Sequence, residues 1–108
     1  EKQARSAEPD TGLLRRSDVR GVTVTSEAVS EGSDFVSRFF APRVGVDEDP
    51  VTGSAHCTLA PYWAERLGRP DLVGYQVSSR GGKVRTRVAG DRVLLQGQAV
   101  TVLRAELV

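Results

Sequence analysis

Apolar and polar positions alternate in short runs along the 108-residue chain and break once into a helical rhythm. Val22 and Val24 oppose Gly21, Thr23 and Thr25, so Val19 to Val29 reads as a strand. Phe35, Ser37 and Phe39 alternate with Val36, Arg38 and Phe40. Three phenylalanines in this run predict a core strand whose Ser37 and Arg38 need partners. From Ala55 the spacing changes. Ala55, Leu59, Tyr62, Trp63 and Leu67 recur near i, i+4, i+7, which predicts a buried helix closed by Gly68. Pro61 lacks an N–H and crowds the carbonyl of Cys57, so this helix is expected to kink there or to be two short pieces. Further strands are predicted for Val73 to Ser79, Lys83 to Ala89, Arg92 to Leu95 and Ala99 to Leu107. Gly81-Gly82 is a turn or bulge, Ala89-Gly90-Asp91-Arg92 a hairpin connection, and Gln96-Gly97-Gln98 a bend. Strands, one buried helix and a four-strand meander give an α+β domain with the helix packed on, or wrapped by, an antiparallel sheet.

The chain length suits one domain. Residues 1–18 are charge-rich with few apolar positions and are expected to be a mobile lead-in. Fifteen basic and fourteen acidic side chains leave a net charge of +1, with the signs interspersed. That balance argues against a dedicated nucleic-acid or membrane-surface protein. No apolar run approaches the ~20 residues of a membrane span. One cysteine cannot form an internal disulfide, so a reducing, cytoplasmic setting is expected. The chain begins with Glu1 and has no methionine, which suggests a fragment or a processed piece.

The candidate chemistry lies where the loop Ala41 to Gly53 meets the helix. Thr52 and Ser54 are both possible N-caps. Free N–H groups and the positive dipole end make a helix start a ready anion site. Gly53, without a Cβ, lets a ligand approach. Asp49 sits just before these donors, as suits a substrate with an anionic group at one end and an ammonium, hydroxyl or C–H acid at the other. The alternative is ordinary turn chemistry, since Asp-Pro-x-Thr-Gly-Ser is what any capped turn uses. Asp47, Glu48 and Asp49 form an acidic knot in which crowding would raise one pKa; Asp47 is read as solvated. His56 and Cys57 are neighbours on the helix and point about 100° apart. They make a poor dyad, and Cys57 is expected to be a small core side chain, while His56 caps or lines the loop. No spacing supports a zinc site. Gly81-Gly82 has no helix after it and is no phosphate loop. Arg80, Arg85 and Arg87 read as the wet side of a strand.

Asp34-Phe35-Val36-Ser37-Arg38-Phe39-Phe40-Ala41-Pro42, Gly45 through Cys57 (Gly-Val-Asp-Glu-Asp-Pro-Val-Thr-Gly-Ser-Ala-His-Cys) and Pro61-Tyr62-Trp63 together resemble the phenazine biosynthesis PhzF-like family. Gln76-Val77-Ser78-Ser79-Arg80-Gly81-Gly82 and Arg92 through Val100 continue the likeness, which runs from about Val22 to about Leu107. The resemblance implies a diaminopimelate-epimerase-like fold. Its two similar domains are each an antiparallel, barrel-like sheet curled around a central helix, and the active site lies between them. It implies a cofactor-independent isomerase that moves a proton between carbons of a small carboxylate; the member that names the family isomerises a dihydro-hydroxyanthranilate. Asp49 stands where epimerase relatives carry a cysteine, which makes it the implied catalytic residue. Gly53 and Ser54 are implied to receive the substrate carboxylate or hydroxyl.

Only the family's C-terminal half is matched, so residues 19–108 are implied to be its C-terminal domain. The family's acid/base glutamate and its helping histidine belong to the other half. Glu8, Glu27 and Glu31 lack matching context, and His56 is not that histidine. The implied function is the substrate-binding half of an isomerase, inactive without the N-terminal half; the alternative is a non-catalytic anion-binding or interaction module. Uncovered apolar surface is expected to bring self-association or a partner. In a homodimer, Asp49 would face Asp49 and the two would share a proton.

Overall fold

The computed structural model describes residues 1–108. Two short helices come first, α1 (Lys2–Ser6) and α2 (Thr11–Arg16). Six strands and a long helix follow: β1 (Val22–Glu27), β2 (Phe35–Ala41), β3 (Val46–Asp49), α3 (Gly53–Leu67), β4 (Asp71–Gln76), β5 (Gly82–Ala89) and β6 (Arg92–Gln96). The strands form one sheet in the order β1-β2-β4-β5-β6, with β3 also paired to β2.

β2 sets the plan. β1 pairs along its whole length, from Val22 opposite Phe40 to Glu27 opposite Phe35. The other edge of β2 is shared between two strands. β4 takes Phe35 to Ser37, ending with Gln76 beside Ser37, and β3 takes the rest, with Asp49 beside Phe39. Gln76 and Asp49 are thus brought end to end, two β2 positions apart.

The β2–β4 pairing is parallel, which corrects the expectation of a wholly antiparallel sheet. The link from β2 to β4 runs through α3, and a strand returning after a crossover helix lies parallel to the first. Asp34 fixes this return: its carboxylate accepts from the Val73 N–H at 2.7 Å and pairs with Arg69, while its own N–H donates to the Val73 carbonyl. The other neighbouring pairs are antiparallel.

The sheet is also open. Residues 97–108 are exposed and carry no regular structure, so the strand expected at Ala99 to Leu107 is absent. Val100, Val102 and Leu103 are 85%, 92% and 78% exposed, and alternation without a surface to bury against does not make a strand. The radius of gyration is 15.1 Å, against about 13 Å for a compact chain of this size.

α3 lies on one face of the sheet. Its Ala55, Leu59 and Trp63 meet Phe35 and Leu72 in the core, with Phe39, Ala64 and Leu67 at its margin. Phe35 and Trp63 stack at 6.1 Å, and the Trp63 indole N–H donates to the Thr25 hydroxyl at 3.0 Å. The helix runs unbroken through Pro61, not as two pieces. Cys57 and Pro61 both face solvent, so water can satisfy the carbonyl that loses its donor. Gly68 ends the helix with φ of 70°, its N–H donating to the Ala64 carbonyl. That left-handed conformation is the usual glycine C-cap.

The opposite face of β2 carries Val36 and Phe40, both buried, and α1 adds the buried Ala4. Arg38 joins the two. It forms a bidentate pair with Glu48 at 2.8 and 3.0 Å and donates to the carbonyls of Arg5 and Ala7 at 3.1 and 2.7 Å. The bond to Glu48 holds the guanidinium charged. The stretch expected as a lead-in thus carries two helices, each too short to persist without such contacts.

Candidate functional site

β alternation disperses the three acids of the loop, because successive side chains in a strand leave opposite faces. The stretch expected as loop carries β3. Asp47 is exposed near Arg15, Glu48 pairs with Arg38, and Asp49 is half-buried beside the helix start.

Asp49 is held on one side only. Its Oδ2 accepts from the Thr52 hydroxyl, and Oδ1 has no donor within the chain. Thr52 occupies the N-cap position of α3, yet its side chain does not cap. The N–H groups of Gly53, Ser54 and Ala55 therefore have no partner. Gly53 and Ser54 are exposed. A Cβ on Gly53 would meet only Leu95 Cδ1, at 3.8 Å. Nothing inside the chain demands glycine there.

Sequence reasoning missed two further residues. Arg20, from the lead to β1, donates to the Ser54 hydroxyl at 3.2 Å and stands over the helix start. With Phe39, Val44, Val46, Asp49 and Thr52 it lines an open pocket of about 330 Å³. Gln76 is fully buried and bonds both Asp49 and Thr52. Its signal was available: Leu72, Gly74 and Gln76 share the inward face of β4, and an amide at an inward position needs partners.

His56 is fully buried and its Nδ1 lies 2.7 Å from the Thr52 carbonyl. A carbonyl only accepts, so Nδ1 carries the proton and Nε2 is a bare lone pair. Neither Nε2 nor the buried Ser37 hydroxyl has a partner. Burial pushes the imidazole below the ordinary histidine value of 6.5, and its bond to Thr52 offsets only part of this. The fold thus keeps His56 neutral while the unfolded chain takes up a proton near pH 6.5. Stability should fall as pH drops below that value, by at most about 1.4 kcal/mol per unit. Urea melts at pH 7.5 and 5 check this: His56→Leu should lose less between the two than the parent chain. Cys57 is exposed rather than a core side chain, because it follows the buried His56 onto the outer face of α3.

A larger cavity of about 610 Å³ is lined by Arg80, Lys83 and Arg85 and meets the loop only at Val51. Tail residues form one wall, and no constellation of hydrogen-bonded groups converges on it. Arg87 turns to Asp71 at 3.7 Å. No group of three or more His, Cys, Asp or Glu is placed to hold a metal, and no helix is long and apolar enough to cross a membrane.

Fold and site together define an α+β domain with one carboxylate set beside unpartnered helix amides. The family model described as phenazine biosynthesis-like protein matches residues 1–105. An "uncharacterized isomerase" of Halalkalibacterium halodurans is 52% identical over 99% of the chain and 40% of its own length. The phenazine biosynthesis-like domain-containing protein of Rattus norvegicus is 42% identical over 94% of the chain and 37% of its own. The crystal structure of a PhzF family protein from Enterococcus faecalis superposes with a TM-score of 0.80 at 44% identity, over 88% of this chain and 36% of that one. The chain belongs to the phenazine biosynthesis-like family, and it spans about 40% of the length of the first of these relatives.

Proposed function

We propose that this chain forms one wall of the active site of a cofactor-independent isomerase that moves a proton between carbons of a small carboxylate. One observation carries the reading. The unpartnered amides of Gly53, Ser54 and Ala55 lie beside a carboxylate whose Oδ1 is free. The amides would receive the substrate carboxylate or hydroxyl, and Asp49 would touch the reacting carbon acid. Proton transfer from carbon needs a base on one side and stabilisation of the carbanion on the other. The family resemblance puts the second acid/base group in a region that this chain does not match. The complete site is therefore proposed to need an N-terminal half, the two halves forming the diaminopimelate-epimerase-like pair. The exposed apolar tail supports a covering partner, either that half or a second copy. A reducing, cytoplasmic setting suits the exposed Cys57 thiol.

Solvent-deuterium incorporation tests the reading. The chain is assayed alone and mixed with the N-terminal portion of the Halalkalibacterium relative, against dihydro-hydroxyanthranilate and a panel of amino-acid carboxylates. Exchange is expected only in the mixture. Full turnover by the 108 residues alone would overturn the division of labour. Arg20 beside Ser54 favours a second reading, a module that binds small anions without chemistry. It predicts binding of the panel and no deuterium uptake in either sample.

A further inference from the structure

We infer that Gln76 is a positioning residue that sets the direction of the Thr52 hydroxyl and so presents Asp49 with one carboxylate oxygen free. The inference rests on the functional reading above, which gives Asp49 its task. It begins with the break in the sheet. Where β4 stops and β3 starts along the same edge of β2, the ladder is interrupted between Gln76 and Asp49. The Gln76 side chain bridges that gap. Its Oε1 accepts from the Thr52 N–H at 2.7 Å, and its Nε2 donates to the Asp49 carbonyl at 2.8 Å and to the Thr52 hydroxyl oxygen at 2.9 Å.

Donor and acceptor identities leave one solution. Oε1 must face the Thr52 N–H, because an amide nitrogen cannot accept from it. Nε2 is then fixed as the group facing the Thr52 hydroxyl, and both of its protons are used. The hydroxyl oxygen accepts from Gln76, so its own proton points away, to Asp49 Oδ2. Asp49 is held as an acceptor through Oδ2, while Oδ1 takes no donor from the chain, and Asp49 and Thr52 both line the pocket. Gln76 is fully buried and Thr52 is 8% exposed, so water does not compete for these bonds. His56 grips the same Thr52 from the helix side, through its carbonyl.

Gln76→Glu keeps the shape and the acceptor for the Thr52 N–H but loses at least one of the two amide protons: ionised it only accepts, and protonated its single O–H is claimed by the Asp49 carbonyl. The Thr52 proton should then turn from Asp49 to Glu. Gln76→Met keeps the bulk and leaves the hydroxyl undirected. Thr52→Val removes the hydroxyl, and Thr52→Ser restores it.

NMR on the full chain is the first arm of the test. In the parent chain the Thr52 hydroxyl proton should exchange slowly and show contacts to the Gln76 amide protons. Both signatures should be lost in Gln76→Glu and kept in Thr52→Ser. A rapidly exchanging hydroxyl in the parent chain overturns the relay. The second arm is turnover in the mixture with the N-terminal portion of the relative. Gln76→Glu and Thr52→Val should lower kcat by about a hundredfold, as misplacing a reacting group does, with KM changed by less than about threefold. Thr52→Ser should stay within a few-fold of the parent. If Gln76→Glu does not fold, the Thr52→Val and Thr52→Ser pair carries the test alone. Parent-like kcat in Thr52→Val overturns the positioning role. Absence of turnover in the parent mixture overturns that role together with the functional reading, while the NMR result still decides the relay.

Discussion

Asp49→Asn is expected to cut deuterium exchange in the complemented site by about a thousandfold, within the 10²–10⁴ range for loss of an acid/base group. The substitution is nearly isosteric. The amide oxygen of asparagine can still accept from Thr52, so the loop keeps its shape. What disappears is the charge and the capacity to take a proton from carbon. Binding of the carboxylate end should change little, since the donors proposed for it are backbone amides of Gly53 and Ser54. The expected signature is therefore a collapse of kcat at nearly constant KM. A variant that turns over like its parent would remove Asp49 from the chemistry. A parent that binds the panel without exchange, and a variant that differs only in affinity, would identify the anion-binding module instead.

The largest expected loss of stability comes from Phe35→Ala. Phe35 has no exposed surface, stacks on Trp63 and lies 5.9 Å from the His56 ring. Gly74 exists to admit it: a Cβ there would fall 2.5 Å from Phe35 Cζ. Truncation leaves a cavity that neither the sheet nor the helix can close, at a cost of about 3–5 kcal/mol. For a domain of this size, that lowers Tm by roughly 15 °C or more. Thermal melts followed by circular dichroism measure it. Leu103→Ser is the control. Leu103 is 78% exposed in the tail, and surface changes of this kind stay within about 0.5 kcal/mol. A Phe35→Ala variant as stable as the control would mean that the core is not centred where α3 meets β2.

Local periodicity revealed much of this architecture. Alternation in Val22 to Glu27, Phe35 to Phe40 and Lys83 to Ala89 marked three strands, and the i, i+4 rhythm with Gly68 marked α3. What it missed is decided by contacts between elements. β3 has four residues and three of them are acidic; only pairing to β2 makes it a strand. The tail from Ala99 alternates as well as any strand but has no partner in this chain. On α3, Tyr62 was assigned to the core and is 42% exposed, while His56 is fully buried. A rotation of the apolar face by a few tens of degrees, on the order of 30°, suffices for that exchange, and His56 is accommodated because Gly74 lies beneath its ring. Within the site, Asp49, Gly53 and Ser54 stood out as a turn running into a helix. Arg20 and Gln76 did not, because each reaches the loop from an element far away in sequence.

The shared edge of β2 also bears on how the molecule is made. Phe35 pairs with Gly74 across the whole excursion through β3 and α3, a long loop whose closure is entropically costly until the strands register. The loop from Asp49 to Thr52 lies inside that excursion and is tied to its far end by Gln76. The Gln76 bonds that hold the loop therefore form only once β4 is docked. A protease nick between Arg69 and Asp71 would put every residue that lines the pocket on one fragment and the Gln76 clasp on the other, joined only through β4 pairing to β2.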